Sequence, residues 1–96
     1  MEKSRSYSGL FIITPEKQGA IDEVTGSIGS VISENSGNIV KENMMGKKAL
    51  AYPIKKKNEG VYYEVTFTAA PEAVIGMMRQ FRINTNILRT LIDRNE

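Results

Sequence analysis

The chain has 96 residues, of which 41% are hydrophobic and 25% are charged, and its formal net charge is +2. This length suits one domain with a single core, and we expect one domain over residues 1–96. The absence of cysteine and histidine excludes disulfides, thiolate nucleophiles and histidine-based sites, and we expect no metal and no other cofactor. No apolar run approaches the roughly 20 residues that span a bilayer, so we expect no membrane segment.

The N-terminal part of the sequence predicts one buried strand. Residues 1–6 are polar, and we expect them to be flexible. The run from Tyr7 to Ile13 is short, apolar and rich in aromatic residues. This pattern is typical of a strand with at least one buried face.

A helix over about residues 15–34 is predicted next. It begins with a hydroxyl N-cap at Thr14, a proline at the first helical position and a carboxylate in the first turn. Interior glycines lower the helix propensity, so tertiary packing must stabilise this element. Residues 35–37 (Asn-Ser-Gly) predict a left-handed C-cap. The apolar face has spacings of three and four and comprises Ile21, Val24, Ile28, Val31 and Ile32.

The second strand is predicted over Ile39 to Met45 and resumes at residues 50–54 (LAYPI), with a bulge or bend at Gly46. Pro53 cannot donate to a ladder, which places this strand at a sheet edge. An edge strand has unpaired backbone groups that either recruit a partner or must be shielded. Five lysines surround this edge: Lys47, Lys48, Lys55, Lys56 and Lys57.

A basic turn of three lysines, Lys55 to Lys57, separates the second strand from the third. Residues 58–60 (Asn-Glu-Gly) then lead into a run in which apolar and polar residues alternate with a period of two. This alternation predicts a half-buried strand. Its inward-facing residues are Val61, Tyr63, Val65 and Phe67.

The C-terminal part of the sequence predicts a second helix and a last strand. The helix starts at residues 70–72 (Ala-Pro-Glu), and residues 84–86 (Asn-Thr-Asn) form a turn before the strand from Ile87 to Ile92. The inner face of the helix is predicted to comprise Val74, Met77, Met78 and Phe81. In the strand we expect three residues to face the helices, Leu88, Thr90 and Ile92, and three to lie on the other side, Ile87, Arg89 and Leu91.

The order strand, helix, strand, strand, helix, strand predicts an α+β fold of the ferredoxin-like βαββαβ type. This fold is a four-stranded antiparallel sheet with two helices on one face. The second and fourth strands are then the edges, in agreement with the position of Pro53.

The motifs of common enzymes are absent from the sequence. No G-x-G-x-x-G follows a strand, and no two carboxylates form an evident acid–base pair, so we expect neither an enzyme nor a small-molecule substrate. The fold also suggests an RNA-recognition motif, but residues 59–63 (EGVYY) have the wrong charge and spacing for its signature. The lysine turn has two interpretations, a solvated gatekeeper against edge aggregation or a binding surface.

The segment from Gly46 to Lys56 (GKKALAYPIKK), followed by Gly60-Val61-Tyr62, resembles the signature of the bacterial small-subunit ribosomal protein six family. The resemblance covers the whole chain. It includes Tyr7 with Pro15, residues 70–73 (APEA), residues 81–83 (FRI) and residues 87–89 (ILR).

This resemblance implies a non-enzymatic ferredoxin-like protein, cytoplasmic and ribosome-associated and a monomer when free. It implies binding to the central domain of 16S rRNA together with small-subunit ribosomal protein eighteen during assembly. The RNA-binding residues would be Lys3, Arg5, Tyr7, Arg79, Arg82, Arg89 and Arg94. The edge for the protein partner would comprise Lys47, Lys48, Leu50, Tyr52, Pro53, Ile54, Lys55, Lys56 and Lys57. The alternative is a ferredoxin-like protein-interaction module that uses its edge strand without binding RNA.

Overall fold

A computed structural model describes residues 4–95 of the chain. The elements are β1 (Arg5–Ile13), a 3₁₀ helix (Pro15–Ala20), α1 (Ile21–Glu34), β2 (Asn38–Ile54), β3 (Lys57–Ala69), α2 (Pro71–Ile83) and β4 (Ile87–Arg94). The strands form one antiparallel sheet in the order β2-β3-β1-β4. The predicted ferredoxin-like fold is confirmed, with β2 and β4 at the edges.

The first helical segment differs from the prediction at its start. Residues 15–20 form a 3₁₀ helix, and the α-helix begins only at Ile21. The Thr14 hydroxyl donates to the Glu16 carboxylate at 3.1 Å and makes no side-chain cap to the backbone. Thr14 therefore stands at the N-cap position of the 3₁₀ helix, but the predicted cap by its hydroxyl is wrong.

The C-terminal end of α1 is a Schellman motif. The N–H of Gly37 donates to the carbonyl of Ile32 at 2.8 Å, and the N–H of Ser36 donates to the carbonyl of Ser33 at 3.0 Å. Ser36 takes the left-handed conformation, with φ of 63°. The predicted left-handed cap is confirmed, and it lies at the serine.

The core lies between the helices and one face of the sheet. The predicted alternation of β3 is confirmed, because its odd-numbered residues from Val61 to Ala69 are buried and its even-numbered ones from Tyr62 are half-buried. Phe11 packs edge-on against Phe81, with ring centroids 4.8 Å apart. The largest fully buried side chains are Phe11, Phe67, Phe81, Ile13, Ile28, Ile32, Met77, Val24 and Val65. The other sheet face, which we call the open face, lies opposite the helices.

A register shift in β4 changes one predicted side-chain direction. Ile12 pairs with Arg89 and Ile13 with Ile87, which leaves Leu88 as an extra residue. Ile87 belongs to the hydrophobic core at 3% exposure, so its predicted position on the open face is wrong. Arg89 is exposed, as expected of a residue on the open face.

The strand β2 has two bulges before its C-terminal part. Ile39 pairs with Phe67 and Lys41 with Thr66, and the residue between them, Val40, is unpaired. Met45 is unpaired in the same way, and the following Gly46 has φ of +92°, which confirms the predicted bulge at this position.

The hairpin between β2 and β3 is tighter than the sequence indicates. Ile54 pairs with Lys57, so the turn consists of Lys55 and Lys56 alone, with φ of 50° and 65°. Positive φ at both central residues is typical of a type I′ hairpin turn. Lys57 already belongs to β3, so the predicted turn from Lys55 to Lys57 is one residue too long.

Tyr63 is a buried residue of β3, and its hydroxyl donates to the carboxylate of Glu42 on β2. Burial, and then this contact, raises the pKa of Tyr63 well above its ordinary value of 10.0. Because the folded-state pKa lies above the unfolded one, the resulting stabilisation is complete below pH 10.0 and is lost as pH rises toward the folded-state pKa. We expect the free energy of unfolding to fall above this pH by at most about 1.4 kcal/mol per pH unit from this group.

Urea denaturation at about pH 9, 10 and 11 measures this loss. In Tyr63→Phe the decline should be shallower than in the wild type, whereas Tyr62→Phe, which alters a half-buried neighbour on the open face, should keep the wild-type decline. An unchanged decline in Tyr63→Phe would assign the pH dependence to other groups.

Candidate functional site

The C-terminal part of β2 leaves regular pairing and forms an arch. Ala49 pairs with Glu59, and pairing resumes only between Ile54 and Lys57. Four residues of β2 thus lie opposite one residue of β3. We call residues 50–53, the LAYP part of the signature segment, the arch.

The arch leans over the open face as far as β4. The guanidinium Nη1 of Arg89 donates to the Tyr52 hydroxyl at 3.3 Å, and its carbon lies 5.9 Å from the centroid of the Tyr52 ring. In the sheet, β2 and β4 are three strand spacings apart, about 14 Å. The Tyr52–Arg89 contact therefore connects the two edges of the sheet across its open face.

An apolar cleft lies beneath the arch. Its walls come from all four strands and are mostly aliphatic or aromatic: Leu10, Ile12, Leu50, Ala51, Tyr52, Ile54, Tyr62, Arg89 and Leu91. Tyr52 and Leu91 are 58% and 49% exposed. The Lys48 ammonium lies 5.6 Å from the centroid of the Tyr62 ring, a cation–π contact beside the cleft. We call this the arch cleft.

A second cleft, of about 230 Å³, lies between the end of α2, the start of β4 and the hairpin turn. Three cationic residues line it, namely Lys55, Arg82 and Arg89, together with apolar side chains such as Met78 and Leu88. Thr90 also lines this cleft, and its buried hydroxyl has no hydrogen-bond partner among residues 4–95. We call this the basic cleft. Arg89 belongs to both clefts.

Only some of the predicted RNA-binding residues share this end of the sheet. Arg82 and Arg89 line the basic cleft, and Arg79 is exposed on α2 nearby in sequence. Arg5 and Arg94 lie at the other end of the central strands, because Arg5 begins β1 and Arg94 pairs with Tyr7. The distance along the strands is roughly 20 Å.

Two other predicted RNA contacts lie elsewhere. Tyr7 is 7% exposed, and its ring stacks on Phe67 at 5.6 Å between centroids, so it belongs to the core and offers no free ring face to a base. The family resemblance assigned it to RNA, whereas the alternation of buried residues along β1 places it on the same face as Phe11 and Ile13. Lys3 lies outside the described residues.

The free edge of β2 is interrupted by two bulges, which precede the predicted partner edge, and by the arch, which lies within it. In the part of the chain that the structure describes, β2 pairs with β3 on one side and with no strand on the other. The bulges at Val40 and Met45 and the arch interrupt the free side, and such interruptions disfavour the addition of a long strand. Of the predicted edge residues, Leu50, Tyr52 and Ile54 line the arch cleft, whereas Pro53 and the lysines do not.

An ion pair holds the hairpin from the other side of the sheet. Lys57 Nζ lies 2.8 Å from Glu16 Oε2, at the 3₁₀ helix. The contacts of Glu16 with Lys57, and then with Thr14, lower the pKa of this carboxyl below its usual value. Lys47, also predicted at the partner edge, lies 3.9 Å from Glu59. Sequence reasoning missed Glu16 because only the fold brings it beside a residue 41 positions later.

Sequence reasoning also missed the floor of the arch cleft. Leu10, Ile12 and Leu91 form it, and their exposure ranges from 6% for Ile12 to 49% for Leu91. Leu10 and Ile12 stand in a run in which residues on both faces of the strand are apolar, so the sequence gives no signal for an exposed surface there.

Residues 4–95 contain no cluster of three or more acidic side chains suited to a metal ion. No helix in this range is long and apolar enough to cross a bilayer.

Comparison with known proteins gives a family match over almost the whole chain. The sequence profile of ribosomal protein S6 matches residues 6–94. The chain belongs to the ribosomal protein S6 family. The arch and its flanking lysines thus lie within the segment that resembles the signature of this family.

Two curated members of the family align over nearly their full length. The chain is 40% identical over 93 residues to the small ribosomal subunit protein bS6 of Pseudarthrobacter chlorophenolicus, covering 96% of this chain and 92% of that protein. It is 34% identical over 97 residues to bS6 of Caldanaerobacter subterraneus, covering 96% and 98%. The crystal structure of 30S ribosomal protein S6 from Thermotoga maritima superposes with a TM-score of 0.89 at 29% identity, covering 97% of this chain and 89% of that one.

Membership of this family makes the chain a protein of the small ribosomal subunit, and hence a cytoplasmic, ribosome-associated component of a ribonucleoprotein that serves translation. The family's members are structural ribosomal proteins. A more distant structure, the C-terminal domain of the Mycobacterium tuberculosis MgtC protein, has a TM-score of 0.66 at 10% identity and shares the fold alone.

Proposed function

We propose that this chain is a structural protein that binds the central domain of 16S rRNA cooperatively with small-subunit ribosomal protein eighteen during subunit assembly. The observation that carries the proposal is the adjacency of the two clefts, which share Arg89 as a common wall. An apolar surface suited to a protein and a cationic surface suited to phosphate thus lie side by side. Two ligands that occupy adjacent sites can also contact each other, which favours their joint binding.

The arch cleft has the chemistry of a protein-binding surface. It combines exposed aromatic and aliphatic side chains, Tyr52 and Leu91 foremost, with cationic residues at its rim. Such a composition is typical of interface hot spots. Because the bulges interrupt the free edge of β2, the partner docks on side chains of the arch cleft in this proposal, and strand addition has a minor part.

The basic cleft has the chemistry of a phosphate site. The Arg82 guanidinium can form two parallel hydrogen bonds to one phosphate, and Lys55 adds a point charge from the hairpin turn. The unpartnered Thr90 hydroxyl offers a further donor. Arg79, Arg5 and Arg94 extend the cationic surface for a longer RNA, and such contacts to phosphate position the protein without reading sequence.

A filter-binding titration against a fragment of the rRNA central domain tests the proposal, with and without protein eighteen. At about 0.05 and 0.2 M salt the affinity should differ steeply, because each neutralised phosphate contributes roughly 0.7–0.9 to the slope of log affinity against log salt. Binding should tighten when the partner is added. A response that is flat with salt would contradict RNA binding and favour the protein-interaction module instead.

Within this assay, Arg82→Ala should reduce the magnitude of the salt slope by about 1, since one phosphate contact is lost. Lys41→Ala provides the matched control, because Lys41 is an exposed cation near the start of β2 and outside both clefts. Its slope should equal that of the wild type. Equal slopes for Arg82→Ala and Lys41→Ala would remove Arg82 from the RNA surface.

A further inference from the structure

Arg89 is an exposed arginine whose side chain is already engaged within the protein. It donates to the Tyr52 hydroxyl and lies against the Tyr52 ring, 37 residues earlier in the chain. Among the described residues, no carboxylate lies within 4.0 Å of the Arg89 guanidinium. Its partner is therefore the arch, and this assignment follows from geometry alone.

The arch needs such a support because its own backbone pairing is interrupted. Residues 50–53 lie opposite a single residue of β3, so the arch lacks the regular ladder that holds the rest of β2. Proline at residue 53 also removes one backbone donor. Segments with few backbone hydrogen bonds and few buried contacts open most readily, and side-chain contacts must fix the position of this one.

Two contacts fix the arch on the open face. Leu50 packs above Gly60: its Cδ2 lies 3.7 Å from the position that a Cβ would occupy at residue 60. At the tip of the arch, Tyr52 is held by Arg89 from the opposite sheet edge. Leu50 thus seats the base of the arch on the sheet, and Arg89 sets the distance of its tip from β4.

We propose that Arg89 is a positioning residue: it braces Tyr52 and so holds the arch in the conformation that the protein partner binds. The link to the partner rests on the proposed function, whereas the bracing of the arch does not. A surface that is ordered before association loses less conformational entropy on binding. Loss of the brace should therefore weaken partner binding without removing a phosphate contact.

The first test measures the free protein. In Arg89→Ala, amide ¹⁵N relaxation should show the order parameters of Leu50, Ala51 and Tyr52 falling from about 0.85, typical of rigid backbone, to below about 0.6. Arg79→Ala removes the same charge from an exposed position on α2 and should leave these order parameters unchanged. If the arch stays ordered in Arg89→Ala, the proposal is overturned, whatever the partner does.

The second test measures binding to protein eighteen and to rRNA. Because an exposed cation–π contact stabilises by a modest amount, Arg89→Ala should weaken partner binding about two- to fivefold. The salt slope of rRNA binding should match that of the wild type. A slope reduced by about 1 would instead make Arg89 a phosphate ligand and would overturn the positioning role.

The two proposals fail in different ways. If the wild-type chain binds neither protein eighteen nor rRNA, the proposed function fails, and the order parameters of the free arch still decide whether Arg89 braces it. If wild-type binding is strong and the arch becomes disordered in Arg89→Ala with no loss of partner affinity, bracing is real but has no part in partner binding, and the proposal is overturned in that respect.

Discussion

Phe67→Ala is expected to lower the free energy of unfolding by about 3–5 kcal/mol, a large part of the 5–15 kcal/mol typical of a domain. Phe67 is 0% exposed near the C-terminal end of β3 and stacks on Tyr7. The truncation removes apolar burial and leaves a cavity that the neighbouring strands can fill only in part, because β3 pairs on both sides and cannot move inward.

Urea denaturation followed by far-UV circular dichroism measures the effect of this truncation. Thr66→Ala is the matched control, since Thr66 is the preceding residue of the same strand, half-buried on the open face. That substitution should change the free energy of unfolding by about 0.5 kcal/mol or less. A loss below about 1 kcal/mol in Phe67→Ala would contradict the assignment of Phe67 to the core.

The regular elements could be predicted because their signals are local. In β3 the period of two fixes which side chains face the helices, and in α2 the spacing of Met77 and Phe81 does the same. The order of the elements then leaves few topologies, of which the ferredoxin-like one is observed. Pro53 located the edge strand for an equally local reason, its missing backbone donor.

Features that depend on register could not be predicted in this way. Ile87 faces the core because Leu88 is an extra residue in the pairing of β4 with β1, and nothing in the sequence of β4 indicates that shift. A single displaced residue reverses the face of a side chain. Tyr7 is a different case, because the register of β1 against β3 is unbroken and pairs it with Phe67; it was assigned to RNA by the family resemblance alone.

Part of the candidate site was named from the sequence, but its floor and its geometry were missed. The arch lies within the LAYPI segment, and Arg82 and Arg89 were named from the sequence. Their convergence depends on an interrupted ladder that bends β2 over the open face and brings residues 37 positions apart into contact. Sequence patterns describe straight strands, and they contain no signal for a strand that arches across its own sheet.

Gly60→Ala is expected to destabilise the fold by about 1–3 kcal/mol, in the range of an overpacked core position. A Cβ at residue 60 would lie 2.4 Å from Ile12 Cγ2 and 3.5 Å from the carbonyl oxygen of Ile13. Ile12 is β-branched and 6% exposed, so its Cγ2 cannot rotate away freely. The strand backbone must therefore shift. Leu50 must move away from the sheet with it, because its Cδ2 lies 3.7 Å from the same Cβ position.

This substitution therefore has two expected consequences, lower stability and a displaced arch. Chemical denaturation should show the first, and the amide shifts of Leu50 and Tyr52 should show the second. Gly26→Ala is the control, and its effect on stability should have the opposite sign. Nothing lies within 4 Å of a Cβ at this position, and alanine in an exposed helix interior should raise the free energy of unfolding by about 0.5–1 kcal/mol. If Gly60→Ala were as stable as the wild type with unshifted arch amides, the contact of Gly60 with Ile12 would not be what seats the arch on the sheet.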